Sequence, residues 1–142
     1  MDRAALDVAL ELKIPCGGWC PKGRKAEDGV IDPMYPLRET PLEDYSQRTE
    51  WNVRDSDGIL VLSYGEPMGG TALGIEFCKK QLKPCFVINL EEKCDKQAFI
   101  QWFKENKIRI LGIGGPRESH KPGIIYARSK AILKDHTKRP VV

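Results

Sequence analysis

The residues of this chain best suited to chemistry stand in one run, Ile108-Arg-Ile-Leu-Gly-Ile-Gly-Gly-Pro-Arg-Glu-Ser-His-Lys-Pro-Gly123. An apolar, strand-like stretch enters glycines, then cationic and hydroxyl side chains, then a helix start. An anion or nucleotide site at the carboxyl end of a parallel strand needs that order. Glycine lets the backbone approach a ligand, and the free N–H groups of a helix start favour negative charge. Arg117 can grip a phosphate or carboxylate in bidentate fashion. Ser119, His120 and Lys121 add donors around Gly114 and Gly115. A strand-to-helix turn with a solvated basic loop has the same composition, so the segment alone leaves both readings open.

A second run, Gly69-Gly70-Thr71, follows the buried-type strand Gly58–Tyr64 and precedes a helix expected over 72–82. Its N–H groups and the Thr71 hydroxyl can cradle a phosphate. The alternative is a simple helix cap, a role threonine fills anyway. Both glycine loops leave the same sheet edge, which favours binding. Lys22 and Arg24, with Lys25, lie in a long Gly- and Pro-rich loop over 20–42 and could close over an anion, although Glu27 and Asp28 dilute the field. Asp55 and Asp57 precede a strand, at the edge of the sheet opposite to ligand sites, and read as caps or ion-pair partners. Trp51 reads as core or interface. Cys16-Gly-Gly-Trp-Cys20 has the wrong spacing for a C-x-x-C redox motif and no second ligand pair beside it. It reads as small side chains in a tight turn, and no metal site is expected.

The elements that must position these loops follow from periodicity. Helices are expected over 2–12, 43–55, 72–82, about 95–106, and from Pro122 onward with Ile124, Ala127, Ala131 and Ile132 inward. Strands are expected over 14–19, 58–64, 84–90 and 108–113, and the tail 134–142 is polar enough to fray. Alternating strands and helices of these lengths make one α/β domain over residues 1–142 with a mainly parallel sheet. A doubly wound domain usually opens on a strand and a Gly-rich loop, whereas this sequence opens on a helix carrying Asp2 and Arg3.

Composition narrows the partners. With 142 residues, 30% charged and 41% hydrophobic, the chain is an ordinary soluble domain. A net charge of +3 without a basic run argues against nucleic acid. No apolar run reaches the roughly 18 residues of a membrane span. Five cysteines without a framework spacing point to reduced thiols and a cytoplasmic setting. The supply of Trp, Tyr and Phe suggests a homo-oligomer.

Several stretches, in order along nearly the whole chain, resemble the family named "putative molybdenum carrier". They include Asp2-Arg-Ala-Ala-Leu-Asp7, Gly17-Gly-Trp-Cys-Pro-Lys-Gly-Arg24, Tyr35-Pro-Leu-Arg-Glu-Thr40, Gln47-Arg-Thr-Glu-Trp-Asn-Val-Arg-Asp-Ser-Asp57, Gly69-Gly-Thr71 and Gly115-Pro-Arg-Glu-Ser119. The resemblance implies a Rossmann-like three-layer sandwich, similar to the group that includes molybdenum cofactor carriers and the phosphoribohydrolases mislabelled lysine decarboxylases. It also implies binding of a phosphorylated pterin- or nucleotide-like anion, with molybdenum cofactor (molybdopterin) as cargo.

Two departures from the pattern matter. The family's first strand and first Gly-rich loop, which precede the Asp-Arg-Ala-Ala-Leu run, have no counterpart here; a misassigned start would explain this, and in a complete site Arg3 would face the ligand. The phosphoribohydrolase loop Pro-Gly-Gly-x-Gly-Thr-x-x-Glu becomes Pro67-Met-Gly-Gly-Thr-Ala-Leu-Gly-Ile-Glu76, which turns Glu76 about 200° around the helix. No catalytic residue is therefore carried over. The expectation is a binding protein; a nucleotide or phosphoribosyl hydrolase using the same cavity, or a nucleotide-sensing module, are the alternatives.

Overall fold

The computed structural model describes residues 2–26, 29–93, 95–116, 119 and 121–137. In chain order the elements are α1 (Asp2–Glu11), β1 (Trp19–Cys20), β2 (Lys25–Ala26), β3 (Gly29–Val30), β4 (Arg38–Glu39), α2 (Tyr45–Arg54), β5 (Gly58–Ser63), α3 (Gly69–Lys80), β6 (Cys85–Asn89), α4 (Lys96–Glu105), β7 (Leu111–Gly114) and α5 (Ile125–Thr137).

β5 carries no charge, is rich in branched side chains, and is buried along its whole length. A strand of that kind needs neighbours on both edges and cover on both faces. It pairs in parallel with β6, from Ile59 opposite Cys85 to Ser63 opposite Asn89. On its other edge it pairs in parallel with β7, from Gly58 opposite Leu111 to Val61 opposite Gly114. Successive side chains leave opposite faces of a strand. Leu60 and Leu62 enter one cluster with Val8 of α1, Phe99 of α4 and Ile125 and Leu133 of α5. Ile59 and Val61 enter the other with Val53 of α2 and Cys78 of α3. The result is a three-layer α/β arrangement with helices on both faces of a parallel sheet. The long loop adds a two-residue parallel pair, β1 with β4, and an antiparallel pair, β2 with β3.

Several boundaries differ from the sequence expectation, each for a local reason. The strand expected over 14–19 is reduced to Trp19–Cys20, because Gly18 turns through φ 141° and pairing extends only to Arg38 and Glu39. The helix expected from residue 72 begins at Gly69, so both glycines belong to its first turn. The last strand starts at Leu111, not Ile108. The Asp57 carboxylate accepts the N–H groups of Arg109 and Ile110 at 3.0 and 2.8 Å and bends the chain before the strand. The last helix begins at Ile125, not Pro122, after a turn in which Gly123 has φ 79°. Ile132 packs on the core as expected and Ile124 is half-buried, but Ala127 and Ala131 are exposed, and the fully buried stripe is Ile125, Ser129 and Leu133. That spacing of four residues is a single helix face.

Among the described residues, β7 has a hydrogen-bonded neighbour on one edge only. Its other edge faces a cavity of about 2190 Å³, walled also by α1, α2 and the β1 region. Ligand sites usually occupy roughly 300–1,000 Å³, so the space beside β7 is more than one small molecule fills. Gly112 and Gly114 project from the same face of β7 but differ along the strand. A Cβ on Gly112 would lie 2.5 Å from Ile59 Cδ1 and 2.6 Å from Ser56 Oγ, whereas one on Gly114 would meet nothing within 4 Å. Gly112→Ala is therefore expected to cost about 1–3 kcal/mol through overpacking, and Gly114→Ala close to nothing. Urea denaturation of the two variants checks this; equal midpoints would contradict the packing described for β7.

Candidate anion-binding site

The carboxyl ends of β5 and β7 each open into a glycine loop. After β5 the chain turns at Gly65, passes Pro67, and enters α3 through Met68, whose backbone is extended and whose side chain makes no capping hydrogen bond. The first N–H groups of a helix have no partners within it. Here they belong to Gly69 and Gly70, which are exposed and whose missing side chains leave open space within 4 Å. Thr71 is buried one residue further on, and its N–H returns to the Met68 carbonyl at 3.1 Å. It is thus inside the first turn and is not the helix cap. Gly69, Gly70, Thr71, Gly114, Gly115 and Ser119 all line the same cavity, and so does Arg3 of α1. Arg117 and His120 lie outside the described residues.

The structure does not bring Lys22 and Arg24 to that cavity. Lys22 is exposed, with its backbone N–H on the Leu42 carbonyl at 3.1 Å. Arg24 turns into its own loop, where its guanidinium donates to the carbonyls of Ile31, Leu37, Asp32 and Tyr35 at 3.0–3.2 Å. Carbonyls without a strand or helix partner need a donor, and Arg24 supplies four of them at once. A charge that looked available for an anion is the brace of the long loop.

Sequence reasoning missed several residues of the wall. Arg48 of α2 lines the cavity, its guanidinium 5.7 Å from the Tyr45 ring. Tyr35 and Tyr126 also line it, and both donate to the carboxylate of Asp7, the Tyr35 hydroxyl at 2.6 Å. That clamp ties the long loop and α5 to α1. Tyr64, just past β5, carries Lys121 and Arg128 at 5.6 and 5.7 Å from its ring. Arg48 and Tyr35 sit in the runs that resemble the carrier family, which was the available signal; nothing local marks Tyr64 or Tyr126. At the opposite edge, Asp55 caps α2 and accepts from Arg54 and from Trp19 Nε1. Arg54 first, then Trp19, hold its carboxyl well below the usual range, at about 2. Trp51 packs edge-on against Trp19, with centroids 4.7 Å apart. Among the described residues, no group of three or more His, Cys, Asp or Glu is placed to hold a metal. No helix among the described residues is long and apolar enough to cross a membrane.

Two glycine loops at one edge of a parallel sheet, with arginines on the cavity wall, can be compared with known proteins. The model of the circularly permutated YpsA SLOG family matches residues 1–137. The chain belongs to that family. A solved structure from Syntrophus aciditrophicus SB, named "putative molybdenum carrier protein", is similar to it over 95% of this chain and 87% of that chain, at 44% identity and a TM-score of 0.89. No curated protein matches the chain. The Rossmann-like layering agrees with that membership.

The Asp7 clamp has a pH signature. Burial first, then the hydrogen bond to Asp7, push the Tyr35 hydroxyl up to about 12. An unfolded tyrosine ionises near pH 10. The folded pKa is the higher one, so the stabilisation is complete below about pH 10 and is lost as pH rises toward 12. Tyr35→Phe is expected to flatten that alkaline slope. It should also cost about 1–3 kcal/mol at neutral pH, since one Asp7 oxygen loses its donor. Denaturation curves at pH 8 to 11 for both proteins test this; an unchanged slope would remove Tyr35 as its source.

Proposed function

We propose that this protein binds and carries a phosphorylated pterin- or nucleotide-like anion, with molybdenum cofactor as the cargo. One observation carries the reading. The uncapped start of α3 at Gly69 and Gly70 opens into the same cavity as Gly114 and Gly115, with Arg3 and Arg48 on its walls. The helix start supplies N–H groups and partial positive charge for a phosphate. The arginines supply full charges that can bond oxygens in pairs, and the apolar wall below accepts a flat ring system. The name of the Syntrophus protein supports a carrier role.

Such a site works by binding alone. A hydrolase would need a carboxylate aimed at the bond it breaks. Glu76 is exposed on α3 and is not part of the cavity wall, while Glu66 is, which keeps a nucleotide or phosphoribosyl hydrolase as the second reading. We also propose a cytoplasmic homo-oligomer. The outer edge of β6 is open, and Val87 on it is 45% exposed; light scattering after gel filtration checks the assembly.

Mass spectrometry and metal analysis of the purified protein, with a nucleoside monophosphate panel, separate the readings. Co-purified molybdopterin or molybdenum supports the carrier, and release of a free base supports the hydrolase. Gly70→Asp is the matching variant. An acidic side chain in the first turn of a helix is favourable for folding, but it places negative charge where the phosphate sits. The variant is expected to keep its melting temperature and to lose affinity at least tenfold, about 1.4 kcal/mol. Undiminished binding would place the anion elsewhere.

A further inference from the structure

The carboxyl ends of β5 and β6 are joined by one side chain. Asn89, the last residue of β6, pairs in register with Ser63, the last of β5. Its Oδ1 accepts the backbone N–H of Gly65 at 3.0 Å and that of Glu91 at 3.0 Å. Both partners are donors, so the side-chain atom between them must be the oxygen of the amide. Gly65 is held from its other side as well, because its carbonyl accepts from Ser63 Oγ at 2.6 Å. The Leu90 N–H meets the Ser63 carbonyl at 2.6 Å, which extends the join beyond the strand ends.

Gly65 is the residue where the loop turns. Its φ of 76° is one that other residues rarely adopt, and a Cβ there would lie 2.9 Å from Glu91 Oε1. Three residues, Glu66, Pro67 and Met68, separate it from Gly69 at the start of α3, and the ring of Pro67 fixes its own φ. Holding Gly65 anchors the end of the short loop that leads to the N–H groups of Gly69 and Gly70.

We propose that Asn89 is the positioning residue of the anion site: by accepting from Gly65 and Glu91 together, it holds the β5–α3 loop in the arrangement that presents the α3 start to a phosphate. It touches no ligand in this scheme. The inference rests on the anion-site reading above, and it deepens it by naming what preorganises the loop. A flexible loop would have to be ordered on binding, and that ordering weakens affinity.

The test uses the full chain and inorganic phosphate as the probe, with two readouts. Amide exchange by NMR reports the Gly65 and Glu91 N–H groups without any ligand, and titration calorimetry reports phosphate binding. In Asn89→Ala, exchange at both amides is expected to accelerate and affinity to fall about tenfold, the scale of losing one to two hydrogen bonds. Asn89→Asp keeps an acceptor at the same place, so it should restore protection at both amides and recover most of the affinity. Recovery by Asp separates this role from simple packing, since a merely space-filling residue would be rescued by Asn89→Leu instead. Wild-type affinity in Asn89→Ala, alongside lost binding in Gly70→Asp, would overturn the proposal and leave the anion site standing. Unchanged binding in Gly70→Asp, or no phosphate binding by the wild-type chain, would overturn the site and the proposal with it.

Discussion

β5 is the strand on which the rest of the molecule depends. Its backbone N–H and C=O groups are removed from water on both faces, so each must be matched along the edges. β6 and β7 do that matching, and their parallel direction follows from the helices that connect them. Because the three strands run the same way, their carboxyl ends arrive together, and the loops that leave them lie side by side. The meeting of Gly69–Thr71 with Gly114–Gly115 is a consequence of this pairing; neither loop could secure it alone. Burying Leu60, Ile59, Val61 and Leu62 contributes about 1.5–3 kcal/mol apiece relative to exposure, enough to impose the register against the local preferences of the flanking residues.

Around that centre the molecule solves a second problem, the polar backbone of its irregular segments. Arg24 satisfies four carbonyls of the long loop. Asn89 satisfies two N–H groups between β5 and β6, and Asp57 two more in front of β7. In each case one side chain of fixed geometry replaces a missing ladder. These residues are charged or amide-bearing and lie in loops or at strand ends, where their types alone suggest solvation or ligand contact. Hydrogen-bond geometry distinguishes the brace from the ligand group, and it assigns Arg24 to the first kind. Arg3 and Arg48 line the cavity.

The legible and illegible parts of this chain divide along the same line. The helices were readable because their apolar residues repeat with the helical period, and the three main strands because they are short, continuous apolar runs bounded by turn residues. Boundaries slipped where the distant Asp57 carboxylate holds Arg109 and Ile110 out of the last strand, and where the local turn at Gly123 delays α5. The inward face of α5 was misread at Ala127 and Ala131, which are exposed although they fit the helical period, while Ile132 packs on the core beside Ile125 and Leu133. The glycine loops were visible as motifs. The clamp of Asp7 on Tyr35 and Tyr126 was not, since it joins residues 28 and 119 positions apart.

By itself the sequence determined the α/β class, the order of its elements and the presence of two glycine loops after strands, because periodicity and glycine's backbone freedom are local properties. It also carried the runs by which the family resemblance was recognised. Only the tertiary structure decided which cations face the cavity, that the two glycines belong to the first turn of α3, and that β7 keeps an open edge beside a large cavity. Those facts depend on which groups meet across the fold, and a side chain's role there is set by the nearest unmet hydrogen-bonding group in space, which no local pattern encodes.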